Sequence, residues 1–371
     1  MTGNGFSRRS VLRTTGVGAA GFGITTLAGC IGGAEETGSE QVLGNPEFTE
    51  GRPDPGGTTM AELPDLSGEM TVYSGRSERR VGELIQYIED LYDDFEVNVR
   101  YADSSDLVNA IMTEEETPAD IYYTTESATL TFLKEEGLTT GLPGHVTDLC
   151  PADLRDPDDQ WLGLSRRSWA VAYNTEALTA EDIPEDILAF PEREELAGRM
   201  GWAPFRGSTQ AFVTAMRLLH GEEATRGWIR DMLDAGLRTY EGGRSALAEA
   251  TGSGEVDASF YNHYVVRGNL ELPLDITFTT NDAGVVPIVP GACVMDDSDD
   301  AETAANFIGH WASAEAQEYF ATTTWEYPVS PHVEPLDVLP DRSELQPPDI
   351  DLNDLANFEP TLEMLRELDV L

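Results

Sequence analysis

The chain has 371 residues, of which 68 are acidic and 23 basic, for a formal net charge of −45. With Lys134 as its one lysine and no basic patch, it excludes a nucleic-acid partner, which needs clustered cations for the phosphates. A surface this acidic stays hydrated in molar salt, where a Debye length of ~3 Å removes self-repulsion, and it points to an extremely halophilic source.

Ser7-Arg8-Arg9-Ser10-Val11-Leu12 is a twin-arginine pattern, followed by an uncharged run of small and apolar residues, 14–28. That run is shorter than the ~20 residues a membrane span needs. It ends in Leu27-Ala28-Gly29-Cys30, which resembles a lipobox. Residues 1–30 therefore read as an export signal, with Cys30 as the lipidated first residue of the mature chain on the extracellular face of the cell membrane. Residues 31–65 are rich in Gly, Glu, Pro and Thr without apolar periodicity, and the expectation is a disordered tether.

The remaining stretch of about 300 residues exceeds one usual core and suggests two lobes. Glu69 to Ser74 is predicted as a strand, and Val81, Leu84, Ile85, Ile88, Leu91 and Tyr92 then fall on one face of a helix. Glu96 to Tyr101 follows as an alternating strand, completing a βαβ unit that implies a parallel sheet. The alternation continues with a helix from Leu107, strands at 119–123, 169–173 and 200–204, helices at 209–220 and 226–235, and a strand at 258–261. Ala304, Phe307, Ile308 and Trp311 mark a helix running to about Phe320. The tail from His332 alternates prolines and acids before a short amphipathic end at 362–371, which either packs on a lobe or hangs free. Cys150 and Cys293 are too far apart for a CxxC site; they either pair or sit buried as small residues.

Ligands of open α/β sheets lie beyond the carboxyl ends of the strands, so three loops are candidates. These are the segments at 73–78, 122–127 and 205–209, each offering hydroxyls, backbone N–H groups or an arginine to an anion. Ser77 and Ser208 serve equally well as N-caps.

Separated motifs then resemble the substrate-binding proteins of iron(III) ABC importers, the ferric-ion-binding proteins. They are Val72-Tyr73-Ser74-Gly75-Arg76, Ala119-Asp120-Ile121-Tyr122-Tyr123-Thr124, Ala172-Tyr173-Asn174-Thr175, Gly198-Arg199-Met200-Gly201-Trp202-Ala203-Pro204, Gly254-Glu255-Val256-Asp257-Ala258, Asn262-His263-Tyr264, and Glu318-Tyr319-Phe320 with Glu326-Tyr327-Pro328. In order and spacing they cover nearly all of residues 69–331. The resemblance implies an α/β, two-lobed periplasmic-binding-protein fold (type II, transferrin-like) with a ligand cleft between the lobes. The expected division is 66–165 plus 286–330 for one lobe and 166–285 plus 331–371 for the other.

It also implies a receptor role, with Fe3+ as transported ligand, carbonate or phosphate as an accompanying anion, and an ABC permease and its ATPase as partners. The family's paired tyrosines appear here as Tyr264 followed by Val265, so the second phenol is missing. Ser77 and Glu78 stand where some members carry a histidine, and Thr125 stands in a carboxylate position with Glu126 one residue on. The candidate metal ligands are Tyr264, Tyr123 and Glu126. The candidate anion or ligand contacts are Ser74, Arg76, Arg167, Ser208 and Asn262, and His263 is expected to be structural. Ferric iron is a hard cation suited to phenolate and carboxylate oxygens.

The alternative cargo is a small organic or anionic solute, such as a phosphonate, thiamine-like or polyamine compound, with Tyr73, Tyr123 and Trp202 as caging aromatics. A secreted hydrolase is the distant alternative. No Gly-x-Ser-x-Gly, His-Glu-x-x-His or P-loop motif occurs, and the expectation is a non-enzyme.

Overall fold

The structure, a computed structural model, describes residues 43–371 apart from residue 270. The export signal and Cys30 lie outside the described residues. Among the described residues twelve strands form two mixed sheets, one per lobe. The first lobe opens with β1 (Gly68–Ser74), whose Met70 and Val72 are buried, and α1 (Glu78–Glu89) covers it with Val81, Leu84, Ile85 and Ile88. Next come β2 (Phe95–Tyr101), α2 (Ser104–Thr113), β3 (Ile121–Thr124), α3 (Ala128–Glu135), β4 (Thr139–Thr140) and β5 (Leu162–Gly163). The chain then enters the second sheet through β6 (Arg167–Asn174), β7 (Met200–Trp202), α4 (Gly207–His220) and α5 (Glu222–Asp234). It continues with β8 (Arg238–Thr239), α6 (Gly243–Gly252), β9 (Ala258–Asn262), β10 (Leu274–Thr277) and β11 (Pro287–Ile288). It returns to the first sheet as β12 (Gly291–Met295), followed by α7 (Ala301–Trp311) and α8 (Ala314–Tyr319).

The sheet orders are β2-β1-β3-β12-β4, with β5 on β12, and β10-β6-β9-β7-β8, with β11 on β6. β1 pairs parallel with β2 and β3, as the βαβ pattern implies, but β12 runs antiparallel to β3 and β6 antiparallel to β9. The expectation of a parallel sheet thus holds for β1, β2 and β3 and is corrected for the rest, which makes both sheets mixed. A strand that returns from the other lobe need not obey the crossover that makes its neighbours parallel. The chain passes between the lobes at 163–167 and 288–291. Arg166 also pairs backbone to backbone with Tyr327, which brings the segment after α8 to the same seam. No helix among the described residues is long and apolar enough to cross a membrane.

Both ends of the described chain dock, which differs from the expected tether for residues 43–65. Arg52 forms a two-pronged bond to Glu318, Phe48 packs edge-on to Trp325 at 5.0 Å, and Met60 and Leu66 are buried. Isolated anchors of this kind leave no periodic trace in a sequence. In the tail, the helix α9 (Glu359–Glu367) buries Met364 and Leu365, and the Thr361 and Thr214 hydroxyls bond at 2.7 Å. Asn353 accepts from Thr131 of α3 at 2.6 Å, so the tail touches both lobes. Cys150 and Cys293 are free and buried, their thiols pushed up to about 12 by desolvation.

Because Leu365 is fully buried in the core, Leu365→Ala should cost about 2–5 kcal/mol in urea unfolding, against under about 0.5 for a change at an exposed tail position such as Glu363. Equal, small effects would mean that the tail does not hold this position.

Candidate functional site

The loop after β1 is shaped by its own residues. Gly75 approaches α2 so closely that a Cβ would lie 2.1 Å from Ser104 Oγ, which excludes any larger residue without movement. Ser74 Oγ donates to the Arg76 carbonyl at 2.9 Å and accepts from the Arg76 N–H at 3.2 Å, so this hydroxyl is spent within the loop. The turn sends the Arg76 side chain into the molecule, only 1 % exposed.

There it meets Glu326. Trp325, just before it, has φ 59°, a left-handed conformation that costs a tryptophan of the order of 1 kcal/mol and is held by burial against Phe48. The Glu326 side chain is completely buried and accepts from Arg76 Nη1 at 2.9 Å, Ser165 Oγ at 2.5 Å and Arg167 Nε at 2.9 Å. Arg80 Nη1 lies 3.7 Å away. Arg76 and Arg80 come from the first lobe, Arg167 opens the second sheet, and Ser165 is on the crossing between them. Burial by itself would raise the Glu326 pKa, but Arg167 and Arg76, with help from Arg80, hold it well below the usual carboxylate range.

Two phenols flank this cluster. Arg76 lies 5.7 Å from the Tyr123 ring, while Arg167 and Arg80 lie 5.5 and 5.7 Å from the Tyr264 ring. Tyr123 Oη is buried without a hydrogen-bond partner, and desolvation pushes its pKa up to about 12 although the arginines pull the other way. Tyr264 Oη accepts from Asn262 Nδ2 at 3.3 Å, and Asn262 Oδ1 is buried without a partner. Val265 is buried in an apolar cluster with Phe278 and Trp325.

Glu126, on the loop after β3, reaches the other lobe: its Oε2 lies 3.4 Å from where a Cβ on Gly207 would sit, at the start of α4. Burial raises its pKa and Arg167 opposes the rise. Ser208 stands in the first turn of α4, half-exposed, not ahead of the helix.

The structure therefore gathers Arg76, Arg167, Tyr123, Tyr264 and Asn262 around one point, with Glu126 at its edge, while Ser74 supports the loop from behind. Ser77 and Glu78 are exposed. Tyr73 bonds Glu114 and Arg100 away from the cluster, and Trp202 is core, its Nε1 donating to Thr239. Sequence reasoning missed Arg80, Ser165 and Glu326 as members. Arg80 lies in the first turn of α1, four residues after the loop residue Arg76, and Glu326 sat within a motif read for its resemblance alone. Among the described residues no group of three His, Cys, Asp or Glu side chains could hold a metal ion.

His263 lies behind the site, with Nδ1 accepting from the Ser168 N–H at 3.0 Å and Nε2 donating to the Trp325 carbonyl at 2.8 Å. Burial lowers its pKa from 6.5 to about 4, so the folded protein holds it neutral. Below pH 6.5 the unfolded chain takes up a proton that the folded chain refuses, so this contribution is present above 6.5 and lost as pH falls towards 4. Between pH 7 and 5, wild type should lose about 2 kcal/mol more in urea unfolding than His263→Gln. Parallel pH profiles for the two proteins would rule the assignment out.

The model of the family described as bacterial extracellular solute-binding protein matches residues 83–347. The chain is 28 % identical to iron uptake protein A2 of Synechocystis over 73 % of this chain and 82 % of that protein. It is 26 % identical to the major ferric iron-binding protein of Neisseria meningitidis serogroup B, over 83 % and 94 % of the two. The iron-bound structure of HitA from Pseudomonas aeruginosa superposes with a TM-score of 0.72 at 25 % identity, covering 81 % of this chain and 99 % of that one. Two α/β lobes joined by repeated crossings, a charged site at the seam and a family model spanning most of the chain place this protein in the bacterial extracellular solute-binding protein family.

Proposed function

We propose that the chain is the extracellular receptor of an ABC importer and that its cargo is ferric iron carried with an anion, delivered to a permease driven by a cytoplasmic ATPase. The observation that carries this reading is the meeting of arginines from both lobes beside Tyr264. More guanidinium groups than carboxylates surround the site, so a bare trication is repelled and an anion is drawn in. An anion such as carbonate or phosphate supplies oxygen donors to the metal as well as charge balance. Tyr264, Tyr123 and Glu126 are the oxygen ligands that this chain offers to ferric iron, whose charge favours the phenolate form. Because both lobes contribute, lobe closure determines affinity. The relatives named for iron uptake and ferric iron binding support the same reading.

A second reading keeps the receptor and makes the cargo an iron-free anionic solute. It is favoured by Val265, which buries an alkyl group where a second phenol would stand. The arginines disfavour the cationic candidates, a polyamine or a thiamine-like compound, since like charges in a desolvated site cost several kcal/mol.

Titration of the iron-free protein with ferric iron plus carbonate or phosphate should develop a visible phenolate-to-iron absorption band, lost or strongly shifted in Tyr264→Phe. Absence of any band with retained binding of the anion alone would favour the second reading. For the anchor, Cys30→Ser should move the protein from the membrane fraction to the medium; unchanged membrane association would refute lipidation at Cys30.

A further inference from the structure

The tail is pinned to the second lobe at two places and crosses to the first lobe between them. At its start the Gln346 carbonyl accepts from the Asn281 N–H at 2.8 Å, on the loop between β10 and β11. At its end α9 is fixed to α4 and α5: the Thr361 hydroxyl bonds that of Thr214 at 2.7 Å and accepts from Arg217 Nη1 at 3.0 Å, and Glu367 pairs with Arg226 at 2.6 Å. Between these anchors the short turn Asp354–Ala356 lies against both α3 and α4. Leu352 and Leu355 are buried in the hydrophobic cluster that also holds Leu130 and Leu133 of α3 and Phe212 and Met216 of α4. Asp351 Oδ1 accepts from the Asn353 N–H at 2.9 Å and shapes the turn that presents Asn353 to the first lobe, where its Oδ1 accepts from the buried Thr131 hydroxyl at 2.6 Å. The two helices so joined are those that open at the edge of the seam site. α3 starts two residues after Glu126, and α4 starts at Gly207, which Glu126 faces. Thr131 and Thr214 lie about one and two helical turns further on, so the tail spans the cleft beside the site. Its hold on the first lobe is the lesser one: among the described residues it has one side-chain hydrogen bond and two leucines there, against several polar contacts and the buried Met364 and Leu365 on the second lobe.

We propose that residues 346–367 are a latch between the lobes. Carried by the second lobe, the latch clips onto α3 through Leu352, Asn353 and Leu355, holds the arrangement in which Glu126 meets Gly207, and lets go of α3 each time the cleft opens. What the latch retains rests on the reading of the seam as the cargo site, whereas its hold on the lobes is independent of any cargo. The latch touches α3 and α4 and not the seam cluster, so it shifts the balance between open and closed lobes in the empty and the loaded protein alike. Release of cargo then speeds up by the factor that the lost latch contact contributed to closure. The parting line falls at α3 because a strained strap gives way at its weaker end, which leaves α9 seated on the second lobe throughout.

The test reads lobe separation directly, by energy transfer between fluorophores at Glu83→Cys on the first lobe and Glu223→Cys on the second, both exposed, in the Cys30→Ser protein, whose Cys150 and Cys293 are buried. Without cargo, Asn353→Ala and Leu355→Ala should shift the population towards wider separation, while Asn357→Ala, at an exposed position of the same tail, should leave it unchanged. In protein loaded with ferric iron and phosphate, Asn353→Ala should speed release into excess chelator about three- to tenfold, the worth of one net hydrogen bond. The latch is overturned if Asn353→Ala and Leu355→Ala keep the wild-type separation, or if Asn357→Ala widens it equally. It is overturned as a control on exchange if separation widens and release keeps its wild-type rate. Wider separation in a protein that develops no iron band supports the latch and defeats the iron reading alone.

Discussion

Three guanidinium groups converging on the carboxylate of Glu326 set the terms for the rest of this molecule. A buried ion cluster of this kind is expensive to assemble, because each charge leaves water, and the mutual attraction repays that cost only when the geometry is held from outside. The surroundings do hold it. Gly75 lets the first loop pass beneath α2, Ser74 locks the turn that aims Arg76, the left-handed Trp325 turns the chain into Glu326, and the neutral His263 fastens Trp325 to the second lobe. The seam between lobes is therefore a charged core, and the lobes meet through ionic contacts whose balance a ligand's charge can shift.

This arrangement explains why the site does not resemble a metal cage built from protein carboxylates and imidazoles. The chain carries 68 acidic residues, yet among the described residues the carboxylates that act on the cluster's arginines and phenols are Glu126 and Glu326, and Glu326 is consumed by arginines. The acidic surface and the basic interior of the seam have opposite roles: one keeps the protein hydrated, the other makes a local demand for negative charge. In the proposed reading this demand is met by cargo and not by bulk salt, because the arginines are largely buried.

Much of the first lobe was legible from residue patterns. The apolar face Val81, Leu84, Ile85 and Ile88 and the strand around Val72 follow directly from period and burial, and the two-lobed fold followed from ordered motifs. The antiparallel return of β12 was not legible, because Gly291 to Met295 is a short, wholly buried run whose direction depends on a passage through the other lobe. At the site, Tyr264, Arg76 and Arg167 were named through loop position and motif, but Arg80 belongs to none of the motifs and is one of several charges on α1. Nothing in the spacing alone tells that a helix arginine leans over a tyrosine from the 3-10 segment after β9, about 180 residues later. Glu326 was hidden for a different reason: one acid among many carries no signal until burial singles it out. The docked segment at 43–66 escaped for want of periodicity, since Phe48, Arg52 and Met60 act as single pegs.

Cys150 and Cys293 bear on where and when the chain can mature. Both thiols are buried and held in the protonated, unreactive form, and neither is cross-linked. The described part of the fold thus asks nothing of its redox surroundings through these two thiols: it needs no cross-link to stand and has none to reshuffle. A fold held this way loses its structure by unfolding and not by thiol chemistry at these positions.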